Sequence, residues 1–176
     1  MKNESAIVTI TTRVALTACT LLVATATATA TPAGGRSIKD FGAAGDGKTD
    51  DTAAFEKAAA HGGDLYVAPG TYRIRGVSLS DRTYLHGARC ASSIVLTNDG
   101  RISVANHCRL SNLHFTTEAK RVEGKSVPEE KGLIVINGKH DVTIDHVRVE
   151  DIDCTALYTD HADRLLVTDC HFQKVN

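Results

Sequence analysis

The sequence predicts an all-β fold, a parallel β-helix with one short helix near its start, and three observations carry that prediction. Residues 140–152 read HDVTIDHVRVEDI, and residues 163–175, 23 positions on, read DRLLVTDCHFQKV. Val142/Leu165, Ile144/Val167, Val147/Cys170 and Val149/Phe172 are apolar in register, and period-two alternation of this kind marks a strand. In both copies the alternation slips by one residue at a polar pair, Asp145-His146 or Thr168-Asp169, and an earlier copy, Cys108 to Phe115, slips at Ser111-Asn112. Asn- and Asp-like residues tolerate left-handed backbone, so each slip reads as a sharp bend between two strands. A unit of strand, bend and strand recurring at this spacing fits one coil of a solenoid stacked on the next. Ile144, Val147, Val149, Val167 and Phe172 are then expected to be buried in stacked columns.

The chain opens on residues 1–30, with Lys2 and Arg13, an apolar run from Val14 to Val23 and a small-residue stretch ending Ala28-Thr29-Ala30. This is the pattern of a secretory signal peptide cleaved before Thr31. The run is shorter than the ~20 apolar residues of a membrane span. Leu16-Thr17-Ala18-Cys19 resembles a lipoprotein box, but the apolar run continues past Cys19. Export is therefore expected, to a secreted or periplasmic location. The full chain carries 20 Lys and Arg against 21 Asp and Glu. Without a strongly basic field, nucleic acid is not an expected partner. All eight His lie beyond residue 30, so the surface gains positive charge below about pH 6. Of the remaining cysteines, Cys108 and Cys170 fall at inward repeat positions two coils apart, ~9–10 Å at the usual strand spacing, too far for a disulfide. They are expected to be buried free thiols.

Residues 31–63 read as linker and N-terminal cap. Gly42, Gly45 and Asp46-Gly47 mark turns. A helix is expected over Thr52 to Ala60, with Asp50 or Asp51 as N-cap, Ala54, Phe55, Ala58 and Ala59 on one face, and Gly62 as stop. The Asp-rich start also suits a calcium loop, but caps that complement the helix dipole explain the carboxylates more simply. A short helix with one apolar face is what a solenoid end needs as a lid. Residues 64–176 read as the first coils, starting with a strand, the Pro69-Gly70 turn and a second strand.

Three segments, IKDFGAAGDGKTDDTAAFEKAAA at 38–60, GGDLYVAPGTY at 62–72 and TYLHGA at 83–88, resemble in order and spacing the N-terminal part of the pectate-lyase-like superfamily. The likeness is to the domain shared by polygalacturonases, rhamnogalacturonases and epimerase-like proteins. The resemblance implies a right-handed parallel β-helix whose carbohydrate cleft runs along the sheet that precedes each strand-bend-strand unit. That sheet is expected at 76–79, 101–105, 133–137 and 156–160. Ile134, Ile136, Leu157 and Thr159 would point inward, and Ser78, Ser103, Val135, Tyr158 and Asp160 outward. Tyr158 and Asp160 then stand where a sugar would stack and hydrogen-bond. Between Phe115 and Gly132 the repeat is lengthened by a charged loop, and solenoid loops often crowd the binding face. Its Lys120, Arg121 and Lys125 are candidates to pair with uronate carboxylates.

Hydrolysis in such a family needs carboxylates flanking the scissile bond. The polygalacturonase signature Asn-Thr-Asp-Gly aligns with Asp153, Cys154, Thr155 and Ala156, so its Asp is absent from this coil. A lyase would need an Arg or Lys base and a cation such as calcium, toward which Asp160 and Asp163 offer oxygens. The histidines show no metal spacing of the H-E-x-x-H kind, and His114, Arg148 and His171 align as an outward column that reads as a solvated face. The catalytic residues are not identified and no metal ligands are assigned. The expected function is that of an exported β-helix protein, the N-terminal part of an enzyme that cleaves acidic, pectin-like polysaccharide by hydrolysis or β-elimination. The alternative is a non-catalytic β-helix that binds polysaccharide or a surface; a phage tailspike, which shares such caps, is disfavoured by the signal segment. The open apolar columns near Asn176 lead us to expect that the chain is truncated at its C-terminus, with catalytic residues beyond it.

Overall fold

The structure, a computed structural model, describes residues 35–97, 100–118, 132–152 and 155–175. The expected signal segment, Lys120, Arg121, Lys125, Asp153 and Cys154 lie outside the described residues. The described residues form a parallel β-solenoid of about five turns with a single α-helix. Three sheets run its length. Sheet A contains Arg36–Ser37, Asp64–Val67, Tyr84–Gly87, Arg109–Ser111, His140–Asp145 and Asp163–Thr168. Sheet B contains Asp46–Asp50, Gly70–Ile74, Ser92–Leu96, His114–Thr117, Arg148–Ile152 and His171–Val175. Sheet C, which precedes sheet A in each coil, contains Val77–Ser78, Ile102–Ser103, Gly132–Asn137 and Thr155–Asp160.

Stacking follows the repeat that the alternation predicts. Ile144 is the Cα partner of Val167 and Val149 of Phe172, as the 23-residue spacing requires. One inward column of sheet A runs Leu65, Leu85, Leu110, Ile144, Val167; its counterpart in sheet B runs Tyr72, Ile94, Phe115, Val149, Phe172. Leu110, Ile94, Phe115 and Val149 are wholly buried. Val167 and Phe172, expected to be buried with them, are instead 38% and 43% exposed. Both belong to the outermost described coil, where the preceding coil covers one side only. Thr159 of that coil pairs with buried Ile136, on the inward row as expected, but is likewise exposed.

The bends are left-handed where the alternation slips. Asn112, His146 and Asp169 have φ of 55°, 53° and 52° and turn sheet A into sheet B. A second set, Arg82, His107, Asp141 and Arg164, has φ of 59°, 55°, 56° and 51° near the corner between sheets C and A. Arg82 and Arg164 give no sign of it in sequence, although Asp141 is of a type that tolerates such backbone.

Helix α1 spans Thr52–His61, and Ala54, Phe55, Ala58 and Ala59 are buried on the core. Phe55 meets Tyr72 edge to face at 5.6 Å. Burial, and then the charge of Asp51, push the Tyr72 phenol up to about 12. The capping expectation is met by one carboxylate and corrected for the other. Asp50 Oδ1 accepts from the Thr52 N–H at 3.0 Å. Asp51 stands at the N-cap without a side-chain cap bond, because its buried carboxylate accepts from the N–H groups of Ala44 and Gly45. Gly45 is needed there: φ is 65°, and a Cβ would lie 2.7 Å from the Tyr72 ring. Asp46–Asp50, read from sequence as turns, adds a strand to sheet B. Cys108 is buried and Cys170 half-buried, and both are free thiols as expected. Among the described residues, no helix is long and apolar enough to cross a membrane.

Candidate functional site

Sheet C presents the face that the alternation assigns to it. Ser78, Ser103, Val135 and Tyr158 are paired strand to strand in one outward row. Asn137 and Asp160 are paired in the next row. Beneath them Val77, Ile102, Ile134 and Leu157 form the inward row. Neighbouring rungs stand ~4.8 Å apart, so an extended polymer can touch several coils at once. Tyr158 is half-buried, and Gly132 makes room for it: a Cβ there would come within 2.5 Å of Tyr158 Cβ. Asp160 Oδ1 lies 2.6 Å from His161 Nδ1. The other oxygen donor considered for calcium, Asp163, lies on sheet A and is held by Arg164 at 2.8 Å.

At its N-terminal end this face opens into a groove of about 890 Å³ between α1 and the first two strands of sheet C. Glu56 of α1, Ser78, Ser103, Arg75 and Arg101 line it. The Arg75 N–H donates to Thr52 Oγ1 at 2.9 Å, and its Nε is 3.2 Å from Asp50 Oδ2. Two arginines and two serines lining one groove suit a carboxylate-bearing sugar, since guanidinium forks bind carboxylates by paired, charge-assisted bonds. The basic groups expected from sequence, Lys120, Arg121 and Lys125, lie on the long loop outside the described residues, and Arg75 and Arg101 are not among them. Arg101 sits two residues before outward Ser103, and parity would have found it.

The remaining polar clusters are tied into the scaffold. Arg109, on sheet A, holds Asp145 of the next coil at 2.7 and 3.2 Å and lies 5.2 Å from the Tyr84 ring centre. Tyr84 stacks on His86 at 4.6 Å. His86 Nε2 is 2.8 Å from Asp64 Oδ1, but off the N–H axis. On sheet B, His114, Arg148 and His171 do form one outward column. His114 Nδ1 meets Ser93 Oγ at 3.1 Å and Arg148 meets Glu150 at 3.4 Å. His107, His140 and Asp141 also converge, at the corner between sheets C and A.

A parallel β-solenoid with a helical lid at its N-terminal end defines the class: a parallel β-helix of the pectate lyase-like kind. Residues 35–174 match the family model "Rhamnogalacturonase A/epimerase, pectate lyase-like", and the chain belongs to that family. The pre-neck appendage protein of Bacillus phage phi29 is 30% identical over 135 residues, 69% of this chain and 16% of that protein. Mannuronan C5-epimerase AlgE6 of Azotobacter vinelandii is 38% identical over 76 residues, 36% of this chain and 9% of the epimerase. Among solved structures, the pre-mature bacteriophage phi29 gene product 12 superposes with a TM-score of 0.64 at 26% identity, covering 76% of this chain and 22% of that one. The chain thus spans about a sixth or less of the length of these curated relatives.

Proposed function

We propose that this protein acts outside the cytoplasm on an acidic polysaccharide, and that sheet C is its contact face. The observation that carries the reading is the placement of Arg75 and Arg101 in one groove at the head of the Ser78, Ser103, Val135, Tyr158 row. Arginines at one end and an aromatic ring further along offer an extended uronate chain charge pairing and stacking, and Asp160 can accept hydrogen bonds from its hydroxyls. Family membership supports a polysaccharide, and an epimerase of an acidic one stands among the relatives. In the leading reading the protein that contains these coils cleaves its polymer by hydrolysis or β-elimination. For elimination, a base removes the proton α to the uronate carboxyl while a cation steadies the carbanion.

The second reading is a binding protein without catalysis, and one observation favours it for these coils. Asp160 is the single carboxylate on the described strands of sheet C, whereas glycosidic hydrolysis uses a pair roughly 5–9.5 Å apart. The test is to titrate the chain with oligogalacturonate, oligomannuronate and a neutral β-glucan oligomer while following reducing ends and the absorbance of unsaturated uronates. Binding of an acidic oligomer but not the neutral one supports the polysaccharide reading, and product formation decides between its two forms. Equal binding of the neutral oligomer, or none of any, removes it.

A further inference from the structure

His107, His140 and Asp141 lie away from the outward rows of sheet C, and the polysaccharide reading does not use them. One ligand atom from each lies within 4.8 Å of the others. Coil stacking brings them together: the His107 N–H donates to His140 O at 3.0 Å, and His107 and Asp141 both have left-handed backbone. Asp141 Oδ2 lies 3.3 Å from His107 Nδ1 and 3.0 Å from His140 Nδ1, and the two imidazoles meet edge to face at 4.7 Å.

We propose that this corner binds one divalent transition-metal ion of the zinc class, through an imidazole nitrogen of His107, one of His140 and a carboxylate oxygen of Asp141. Ligands ~2.0–2.1 Å from a tetrahedral zinc stand about 3.3 Å from one another. The Asp141 oxygen already keeps that spacing from both Nδ1 atoms. Two imidazoles and one carboxylate form a donor set for zinc and its neighbours, with positions left open for water or a ligand. Calcium and magnesium prefer all-oxygen shells. The side chains are between a third and a half exposed, so an ion can reach them.

Arg164 is the competitor. Its Nε donates to Asp141 Oδ1 at 2.5 Å and its Nη2 to Oδ2 at 2.7 Å. With a second bond from His140, it holds the Asp141 carboxyl well below the usual range. On binding, each imidazole ligates as the neutral tautomer through the nitrogen without a proton, its ring proton on the other nitrogen, and Oδ2 turns from Nη2 to the ion. Oδ1 keeps its bond to Nε, the outer hydrogen bond that orients a ligating carboxylate. The neighbouring Asp81 carboxylate accepts from the Asn106 backbone N–H and side-chain amide.

Untagged full-length chain is titrated calorimetrically with Zn(II) and with Ca(II), Co(II) absorption reports coordination, and thermal melts are run with and without zinc. We expect one zinc per chain, no calcium binding, a four-coordinate Co(II) spectrum and a zinc-dependent rise in melting temperature. His107→Ala and His140→Ala should each weaken zinc binding at least about tenfold and abolish that rise, with zinc-free melting unchanged. Arg164→Gln should tighten binding, because the ion no longer displaces a guanidinium. Absence of zinc binding, or zinc binding that survives both histidine variants, would overturn the site.

Discussion

Arg109 and Asp145 form a two-point bridge between neighbouring coils, Nε to Oδ1 at 2.7 Å and Nη2 to Oδ2 at 3.2 Å. The Asp145 carboxylate is 9% exposed, while the guanidinium is half in solvent. Hydrogen bonds from Arg109, ahead of the opposing effect of burial, hold the Asp145 carboxyl below its ordinary range. A lowered carboxyl contributes stability that is full above the unfolded value near pH 4 and is lost as pH falls through the folded one. Arg109→Met should therefore cost about 1–2 kcal/mol at pH 7, discounted for solvent screening of the exposed guanidinium. The cost should shrink at pH 3. Urea midpoints at the two pH values check this, and an equal loss at both would contradict the charge argument.

Column position should set the cost of an aromatic truncation. Phe115 is wholly buried between Ile94 and Val149, whereas Phe172 is 43% exposed on the outermost described coil. Phe115→Ala should cost ~3–5 kcal/mol and Phe172→Ala clearly less. Comparable losses in denaturant titrations would mean that the outer coil is covered in solution.

The left-handed bends make a separate prediction. Asn112 has φ of 55°, and a β-branched residue there is strained by roughly 1–2 kcal/mol. Asn112→Val should lower the melting temperature and Asn112→Gly should leave it nearly unchanged. A Val variant as stable as the parent would show that the bend relaxes.

Much of this architecture is legible in the sequence. Spacing alone paired Ile144 with Val167, and polar pairs in slipped alternation marked Asn112, His146 and Asp169 as bends. Period two also separated Tyr158 and Asp160 from Leu157 on sheet C. The second left-handed set is hidden because two of its four members, Arg82 and Arg164, are arginines, and Arg is not a bend signal. Asp51 looked like a cap because its chemistry fits one; that its carboxylate reaches back to Ala44 and Gly45 is a tertiary fact. Arg75 enters the groove only because α1 folds over the first strands of sheet C. His107 and His140 meet across a coil lengthened by the charged loop, so no short motif joins them.

The most direct measurement for the contact face is the affinity of the full chain for an oligogalacturonate, taken with the Arg75→Gln, Arg101→Gln and Tyr158→Ala variants. Each side chain faces sugar rather than core in this account. Each loss should weaken binding, by about 5–30-fold for a guanidinium–carboxylate contact, and leave the melting temperature unchanged. High salt should weaken the parent and matter less once both arginines are gone. Unchanged affinity in all three variants, with the fold intact, would contradict the assignment of sheet C as the polysaccharide face.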